Sequence, residues 1–584
     1  MTELAPPLSG SPRKLDGAAQ AMPALLIACT ALLAAGTPAF RGNSCGHDFD
    51  FHLLSWMEVA RAWHSGIAYP HWVQDANYGA GEPRLMFYPP ASWLLGALLG
   101  SVTSWHAAPV VFVLLALLAA GGSMYLLARE WAPPGAATLA ACLYIANPYA
   151  MFVAYERSAF GELLAGAWLP LMVLFALRAR SSIAPLGLAV AALWLTNSPA
   201  AVVGSYMLAI LALGMWMAEG RPWPALRAAG GMALGLGLAA FYIVPAAFEQ
   251  RWVQIDRAIM PGMRVEDSFL FAHTANAFHD QVLRTASWIL IVELGAAIIA
   301  AYLAWRRQGG GTASIALTAT VPIILLLQLP ASDVIWKHTP HMKFLQFPWR
   351  WLLALSLVDC VLVSMALDRG GATGVRARRA RWPAIVAGVV IVAMTMIGAI
   401  LFFQPCDDED AVAAQAAGFR LGQGTEGTDE YTPVGVDNTA VQQQLPSVRV
   451  LRAAEDDTAD STQAQNPQWR AGDAGTIPAK VESKRESGER WEVSVVTPEA
   501  GYAVLRLMDY PAWRVTVDGR PAPGRPLRED GLMAVPVTTG SHAIDVQWTA
   551  TRDVAAGREI SAIALLALAV VGGLERKSRR GSRV

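Results

Sequence analysis

The chain has 584 residues, of which 54% are hydrophobic and only 16% charged, and its formal net charge is −1. A soluble domain typically carries about 25% charged residues, so this composition excludes an ordinary soluble enzyme, a disordered protein and a nucleic-acid-binding protein. Apolar runs of about 20 residues recur, and each is long enough to cross a bilayer. We therefore predict a polytopic α-helical membrane protein.

The first apolar run, residues 22–40, follows Arg13 and Lys14. It lacks a small-residue cleavage site, and many further runs follow, so it predicts a retained helix rather than a secretory signal. Residues 1–21 are then cytoplasmic. About twelve spans are predicted in all, at 22–40, 107–128, 135–152, 161–178, 183–197, 199–217, 228–248, 285–304, 313–329, 347–367, 383–403 and 558–574.

Arginine positions agree with this count. Alternation from a cytoplasmic N-terminus places nearly every arginine cluster inside, as the positive-inside rule requires. The inner clusters are Arg129, Arg178 with Arg180, Arg221 with Arg227, Arg306 with Arg307, 369–381 and 576–583. The outer side then receives 41–106, 153–160, 249–284, 330–346 and 404–557. The apolar stretch 89–105 opens with two prolines and breaks the alternation if counted, so we expect it to lie on the outer surface or dip into it.

A charge asymmetry separates two regions. Residues 404–553 hold 24 acids and 14 bases, a net charge of −10, against +9 for the rest. We predict a transmembrane domain over 22–403 with a large first outer loop, an acidic outer domain over 404–557, a final helix at 558–574 and a basic cytoplasmic tail at 575–584.

The acidic domain changes character along its length. The composition of residues 404–490 predicts that parts of this region are loop or poorly ordered chain. From 491 the apolar residues alternate with period two, which predicts strands at 491–496, 502–507, 513–517, 533–537 and 542–548. Asp518-Gly519 and Thr539-Gly540 predict turns, so the whole indicates a small β-sandwich. Trp513 and Tyr510 are expected in its core, with sugar stacking as the alternative.

Two of the five cysteines, Cys45 and Cys406, fall outside the membrane, where disulfides are permitted. A disulfide between them would hold the acidic domain beside the first outer loop, and two unpaired thiols are the alternative. The other cysteines lie inside predicted spans, as small apolar residues.

The densest ionisable cluster follows the first span, in GHDFDFH at 46–52. If this segment is helical, Asp48 and His52 share a face. A carboxylate here is able to take a proton from a hydroxyl, or to hold a divalent cation with the histidine. A solvated helix end is the alternative, and an amphipathic helix over 49–64 is expected to lie along the membrane.

Two other outer loops carry candidate residues. Glu156 and Arg157 lie in the second outer loop and Glu162 just beyond it, as functional groups or as ordinary loop charges. Around the start of the span 347–367, Lys343 and Arg350 are two helical turns apart and would share a face if the helix starts early, with Gln346 between them. Basic groups there suit a phosphate, and snorkelling to the headgroups is the alternative. Nucleotide-binding, HExxH and CxxC signatures are absent from the sequence.

Six short motifs occur in chain order: GHDFDFH at 46–52, NYGAGEP at 77–83, FYPP at 87–90, YERSAFGE at 155–162, FLQFPWR at 344–350 and EGTDEYTP at 426–433. This set resembles a family of bacterial membrane proteins called 6-pyruvoyl-tetrahydropterin synthase-related, which looks like a branch of the GT-C glycosyltransferases. Nothing in the sequence indicates pterin chemistry. The resemblance implies a GT-C-like enzyme of the bacterial inner membrane that moves a sugar from a polyprenyl-phosphate donor to a glycan or lipid acceptor outside.

The resemblance also implies roles for residues. Asp48 matches the catalytic base, with His52 and Glu156 as further catalytic residues. Asp50 completes a D-x-D that suits a divalent cation, Mg or Mn, at Asp48 and Asp50. The substrate-binding residues would be Asp50, Arg157, Glu162, Lys343, Gln346 and Arg350, with Arg350 on the phosphate.

Two other classes remain open at this point. A secondary transporter also has about twelve spans, although the ionisable residues here cluster in outer loops. A non-catalytic envelope-assembly or glycan-binding protein is the other, if the outer domain is the working part.

Overall fold

The computed structural model describes residues 17–178, 182–308, 311–367, 381–443, 445–452, 475–522 and 524–581. Predictions that concern residues 1–16, Arg180, 368–380, 453–474 and 582–584 lie outside the described residues. The described chain forms a helical body, then two β-sheets, then one last long helix.

Most of the longer helices of the first half are apolar, and short helices lie between them. They are α1 (Gly17–Ala35), α2 (Thr37–Arg41), α3 (Phe49–His64), α4 (Arg84–Phe87), α5 (Pro90–Val102), α6 (Ala108–Ala128), α7 (Pro134–Ala146), α8 (Pro148–Met151), α9 (Phe160–Leu177), α10 (Ile183–Trp194), α11 (Ser198–Glu219), α12 (Trp223–Leu238) and α13 (Ala240–Glu249). A π-helical turn, Phe152–Glu156, follows α8.

The helices of the second half complete the body and then flank the outer domain. They are α14 (Ala277–Gln308), α15 (Thr312–Leu327), α16 (Asp333–His338), α17 (Leu352–Leu367), α18 (Arg381–Phe402), α19 (Val412–Leu421) and α20 (Arg552–Gly581).

Eight helices among the described residues are long and apolar enough to cross a membrane. They are Ala108–Ala128, Pro134–Glu156, Phe160–Leu177, Ser198–Glu219, Ala277–Arg307, Pro348–Leu367, Ile385–Phe402 and Arg552–Ser578. Two bent pairs, α12 with α13 (75°) and α15 with α16 (97°), pass only when each pair is counted together. The chain is therefore a multi-pass helical membrane protein with eight to ten candidate spans.

The predicted count of twelve is not confirmed. Helix α10 has 12 residues, which at 1.5 Å per residue is about 18 Å, well short of a bilayer core of about 30 Å. The described apolar part of α1, Ala21–Ala35, is also short. Helix α5 has 13 residues and packs on α3 and α6, so the stretch 89–105 forms a short helix, too short to cross by itself.

The predicted outer segments contact one another. Ser44 bridges Pro405 and Val253 bridges Pro433, and the His47 N–H donates to the carbonyl of Glu156 at 3.2 Å. The predicted inner segments also meet, since Arg178 pairs with Glu130 at 2.6 Å and the Ile183 N–H donates to Glu575 at 2.7 Å. The loops that make these contacts thus fall into two groups, and the side of the membrane on which each group lies stays a prediction.

The outer domain contains two antiparallel sheets that share one apolar core. The strands are β1 (Val448–Leu451), β2 (Lys480–Ser487), β3 (Arg490–Thr497), β4 (Gly501–Met508), β5 (Trp513–Val517), β6 (Arg520–Pro521), β7 (Leu532–Val537) and β8 (Gly540–Trp548). One sheet has the order β1-β4-β7 and the other β2-β3-β8-β5-β6. This is the expected sandwich. Strands β1 and β2 lie where loop was predicted, because β2 is mostly polar and exposed and β1 has only four residues.

The sandwich is attached to the first outer loop by aromatic packing. Trp72 lies 5.2 Å from Trp513 and 5.5 Å from Trp548, between ring centroids. Tyr510 stacks on Trp548 at 5.7 Å. These rings are in or beside a buried core, so Trp513 and Tyr510 are core residues and do not form an exposed platform for sugars.

Candidate functional site

Asp48 is held in place by the backbone of the second outer loop. It precedes the first residue of α3, and its N–H donates to the carbonyl of Arg157 at 2.8 Å. The Gly46 N–H donates to Ser158 Oγ at 3.0 Å. A Cβ on Gly46 would lie 2.5 Å from the carbonyl oxygens of Tyr155 and Glu156, so this close approach requires glycine. The GHDFDFH and YERSAFGE motifs therefore form one unit.

Arg157 connects two carboxylates at this unit. Its Nη2 lies 3.5 Å from Asp48 Oδ2 and its Nη1 lies 2.6 Å from Glu162 Oε2. Glu162 also accepts a hydrogen bond from the Tyr149 hydroxyl, and Arg350 Nε lies 3.8 Å from the same carboxylate. Two arginines thus share one buried glutamate, and Arg157 also reaches Asp48.

The carboxylate of Asp48 is stabilised in its ionised form. Burial by itself would raise the pKa of Asp48, but the hydrogen bond from His47 Nδ1 at 2.7 Å and the charge of Arg157 outweigh it and hold this pKa well below its usual range. The same hydrogen bond raises the pKa of His47, against the opposing effect of burial. Asp48 is therefore an anion at physiological pH.

His52 is close to Asp48 but turned into the protein. Its backbone N–H donates to the backbone carbonyl of Asp48 at 3.2 Å. The residue is 2% exposed, and its ring lies between Tyr88 and Phe160. Burial lowers the pKa of His52 to about 4, with Asp48 opposing the shift, so the ring is neutral at pH 7. It does not line the cavity described below, and its position suits the support of Asp48 rather than contact with a substrate.

Lys343 and Arg350 are not on one helical face. Residues Met342–Leu345 and Pro348–Trp351 form two separate 3-10 turns, and Gln346 between them has a positive φ of 61°. Lys343 lies 3.6 Å from Asp256. Arg350 is directed inward, where its Nη1 donates to the Leu345 carbonyl at 2.9 Å. The spanning helix begins at Pro348, close to the predicted 347–367, as a 3-10 turn that continues into the α-helix at Leu352. The positive φ of Gln346 separates Lys343 from this helix, so no single helix carries both Lys343 and Arg350.

A cavity of about 640 Å³ joins most of the predicted site residues. Those that line it are Asp48, Glu156, Arg157, Glu162, Gln346 and Arg350. Its lining also includes many apolar side chains, among them Val202, Ile243, Ala246, Val282 and Phe344. His52, Asp50 and Lys343 are not among the lining residues. The cavity thus combines charged and apolar side chains in one lining.

The D-x-D pair does not form a metal site. Asp50 is exposed, and one of its oxygens accepts the N–H of Phe51 at 2.8 Å, while Asp48 is engaged by His47 and Arg157. Across the described ranges, no group of three or more His, Cys, Asp or Glu side chains is arranged to hold a metal ion. The residues present do not fit the predicted Mg or Mn, and no step below uses one.

Cys45 and Cys406 form a disulfide, with Cα atoms 4.8 Å apart. The Cys45 N–H also donates to the Gln404 carbonyl at 2.9 Å, and Gln404 Nε2 donates to Glu156 at 2.6 Å. The start of the outer domain is therefore attached next to Asp48, across 361 positions of sequence.

Sequence reasoning missed several residues at the cavity. Tyr88 of the FYPP motif lines it beside Asp48, and burial raises the pKa of its hydroxyl well above the usual range. Thr428, Glu430 and Tyr431 of EGTDEYTP also line it. The motif letters were visible in the sequence, but nothing in them indicates that a segment nearly 400 residues downstream returns to Asp48.

The fold and site define a multi-pass membrane protein in which loops distant in sequence, together with residues 428–431, line a charged cavity. Residues 85–369 match the family model described as 6-pyruvoyl-tetrahydropterin synthase related domain, membrane protein. The match covers nearly half of the chain and includes the motifs FYPP, YERSAFGE and FLQFPWR. GHDFDFH, NYGAGEP and EGTDEYTP lie outside the matched residues. No curated protein matches the sequence.

Several solved structures are similar in part. Arabinofuranosyltransferase AftD from Mycobacteria is 19% identical, with a TM-score of 0.43 over 67% of this chain and 27% of that one. The Archaeoglobus fulgidus oligosaccharyltransferase, in complex with Zn and sulfate, is 16% identical, with a TM-score of 0.37 over 66% and 54%. ArnT from Cupriavidus metallidurans bound to undecaprenyl phosphate is 10% identical, with a TM-score of 0.27 over 70% and 90%.

The chain spans only about a quarter of the length of AftD. Because the TM-scores of these structures are below 0.5, the similarities show nothing about the substrate or mechanism of this chain. Evidence on both comes from the cavity.

Proposed function

We propose that this protein is a membrane glycosyltransferase that moves a sugar from a polyprenyl-phosphate donor to an acceptor hydroxyl, with Asp48 as general base. The observation that carries the proposal is that an ionised carboxylate, two arginines and many apolar side chains line one cavity. A lipid-linked sugar phosphate has the matching chemistry, since it combines an apolar tail, an anionic phosphate and a polar sugar.

The reaction would use the charged residues that line the cavity. The acceptor oxygen forms a bond to the anomeric carbon, the bond from that carbon to the phosphate oxygen breaks, and its electron pair leaves on the phosphate. Asp48 takes the hydroxyl proton as the new bond forms. Arg157 and Arg350 stabilise the charge on the departing phosphate.

Support for these roles differs among the residues. Arg350 Nε has no hydrogen-bond partner among the described residues although it is buried, and an anion would satisfy it. Arg157 is already paired to Asp48 and Glu162, so it also orients the base. Tyr88 would donate a hydrogen bond to the donor phosphate, because it lines the cavity close to both arginines and Asp48. Glu156 would position the loop through Gln404.

We further propose that the protein lies in a bacterial inner membrane with both termini cytoplasmic, the cavity and β-domain being outside. The separation of loop groups described above supports this orientation. The orientation would be tested by placing a cysteine at exposed Ser101, Ser541 or Ser578 and labelling it from outside. Labelling at position 578 alone would show that the orientation is the reverse of the proposed one.

The decisive experiment is transfer by the purified full chain from radiolabelled polyprenyl-phosphate sugars, with and without glycan or lipid acceptors. We expect release of polyprenyl phosphate and labelled sugar product with at least one donor. Absence of donor binding and of turnover across a panel of pentose and hexose donors would reject the proposal.

A second candidate, proton-coupled transport, is favoured by one observation that sequence reasoning missed. Glu293 of α14 and Asp359 of α17 are both buried in the helical body, and Glu293 accepts a hydrogen bond from Ser356 at 2.7 Å. One oxygen of each carboxyl has no partner within the described part of the chain. If substrate acidifies proteoliposomes that contain the protein, and Glu293→Gln abolishes this acidification, proton-coupled transport is favoured over sugar transfer.

A further inference from the structure

A segment of the outer domain closes one side of the cavity. Residues 424–433, here called the strap, cross from the first outer loop to the chain after α13. The Thr428 N–H donates to Glu82 at 2.7 Å, and the Gln254 N–H donates to the Thr432 carbonyl at 2.9 Å. A Cβ on Gly427 would lie 1.8 Å from Asn77 Oδ1, so the strap fits tightly against the loop.

Two adjacent acids on the strap have different surroundings. Asp429 accepts a hydrogen bond from Asn438 Nδ2 at 3.1 Å and is not among the residues lining the cavity. Glu430 lines the cavity, and burial raises the pKa of its carboxyl. Next to it, the Tyr431 ring stacks on Phe87 with centroids 5.5 Å apart and planes within 3°, and both rings line the cavity.

The charges around the cavity favour one kind of ligand on this side. Its described lining includes the carboxylates Asp48, Glu156, Glu162 and Glu430, against the two arginines Arg157 and Arg350. Both arginines lie at Glu162, and Arg84, whose charge acts on the Glu430 carboxyl, is paired with Glu82. Among the described residues, none of these three arginines forms an ion pair with Glu430. An anionic group beside the strap would therefore be repelled, whereas hydroxyl groups would donate to the carboxylate.

We propose that the strap forms the acceptor subsite, in which Glu430 accepts hydrogen bonds from the hydroxyls of an uncharged sugar whose apolar face packs on Phe87 and Tyr431. A carboxylate beside aromatic rings offers a sugar both hydrogen bonds and apolar contact. This inference rests on the proposed transferase function, of which it specifies the acceptor as a neutral glycan.

Saturation-transfer NMR on the full chain in detergent tests the subsite without any donor. The probes are methyl glucoside, which is neutral, and methyl glucuronide, which is anionic and otherwise similar. We expect the glucoside to bind about tenfold more tightly than the glucuronide, and Glu430→Gln to weaken glucoside binding about tenfold. Asp429→Asn, the matched control on the same strap, should bind as the parent does.

The outcomes separate the subsite from the proposed function. Glucoside binding that is absent, unchanged in Glu430→Gln, or matched by the glucuronide would overturn the subsite. Should Glu430→Gln fail to fold, as judged by gel filtration, Tyr431→Ala replaces it, with the same tenfold loss expected. If the subsite binds as expected but no polyprenyl-phosphate donor is turned over, the transferase proposal fails and a neutral-glycan site remains.

Discussion

The guanidinium of Arg157 lies 3.5 Å from the carboxylate of Asp48, although 109 positions separate the two residues in sequence. The same guanidinium lies 2.6 Å from Glu162. Its position is therefore fixed from one side by a buried acid, while its other edge reaches the proposed base. This arrangement keeps Asp48 ionised and places a cation next to the atom that would accept a proton.

Replacement of Asp48 by Asn tests the base. The amide keeps the size but cannot accept the proton, so transfer should fall by about 10²-fold or more, with folding retained. Rates of sugar transfer by the purified proteins would measure this. Asp50→Asn is the control, since Asp50 is exposed and does not line the cavity, and it should retain near-normal turnover. Comparable rates for Asp48→Asn and the parent would remove Asp48 from the mechanism.

Arg350 is expected to bind the donor phosphate. Arg350→Ala should weaken polyprenyl-phosphate binding by about tenfold or more, because a charged hydrogen bond is worth about 1.5–3 kcal/mol. Arg350→Lys should rescue it only in part, since a point charge replaces a fork of donors. Lys343→Ala, whose parent side chain pairs with Asp256, should change affinity little. Equal losses at both positions would show that general surface charge, and not Arg350, attracts the lipid.

Tyr88→Phe removes one hydroxyl from the cavity and leaves the ring in place. The Tyr88 hydroxyl would donate a hydrogen bond to the phosphate of the sugar donor as negative charge develops on that phosphate. Loss of the hydroxyl should therefore lower kcat by about tenfold, while the affinity for the sugar donor changes less. Steady-state kinetics with a saturating acceptor would separate the two constants. An unchanged kcat would assign Tyr88 to packing against Phe51 and His52.

The pH profile depends on His47. Asp48 accepts a proton only when it is ionised, which requires a pH above its pKa. Because the pKa of Asp48 is depressed, the ionised form is lost only at low pH. In His47→Ala the hydrogen bond is gone and burial is less opposed, so the pKa should rise and the acid limb of activity should move to higher pH. Rates measured across the acidic range would show the shift. His338→Ala, at an exposed histidine of another loop, should not move the limb.

The disulfide between Cys45 and Cys406 should add to stability. Disulfides typically contribute about 2–4 kcal/mol, and here the bond also attaches the outer domain beside the second outer loop. Cys45→Ser with Cys406→Ser should lower the melting temperature of the detergent-purified protein. Reduction of the parent should lower it equally. Free thiols at both positions in an oxidised sample, found by non-reducing mass spectrometry, would contradict the bond.

Sequence alone determined the membrane class, whereas the alternation of loops across the membrane stays a prediction. Apolar run length and arginine placement reflect the cost of burying charge in lipid, which each segment meets locally. All the β-strands from Arg490 onward except the two-residue β6 were also predictable, because alternation with period two is a local consequence of one buried face. The count of spans was not, since the bends at α12–α13 and α15–α16 depend on packing between helices.

Only the tertiary structure decided which candidates meet. Asp48, Arg157 and Arg350 share one cavity because separate loops dock through backbone contacts, as at Gly46, and no local pattern encodes such docking. Lys343 and Arg350 were expected on one face, and the break at Gln346 separates them. Glu430 comes to the cavity because the outer domain folds back onto the first outer loop. Long-range contacts of this kind depend on shape complementarity between distant segments, which residue types and spacing do not specify.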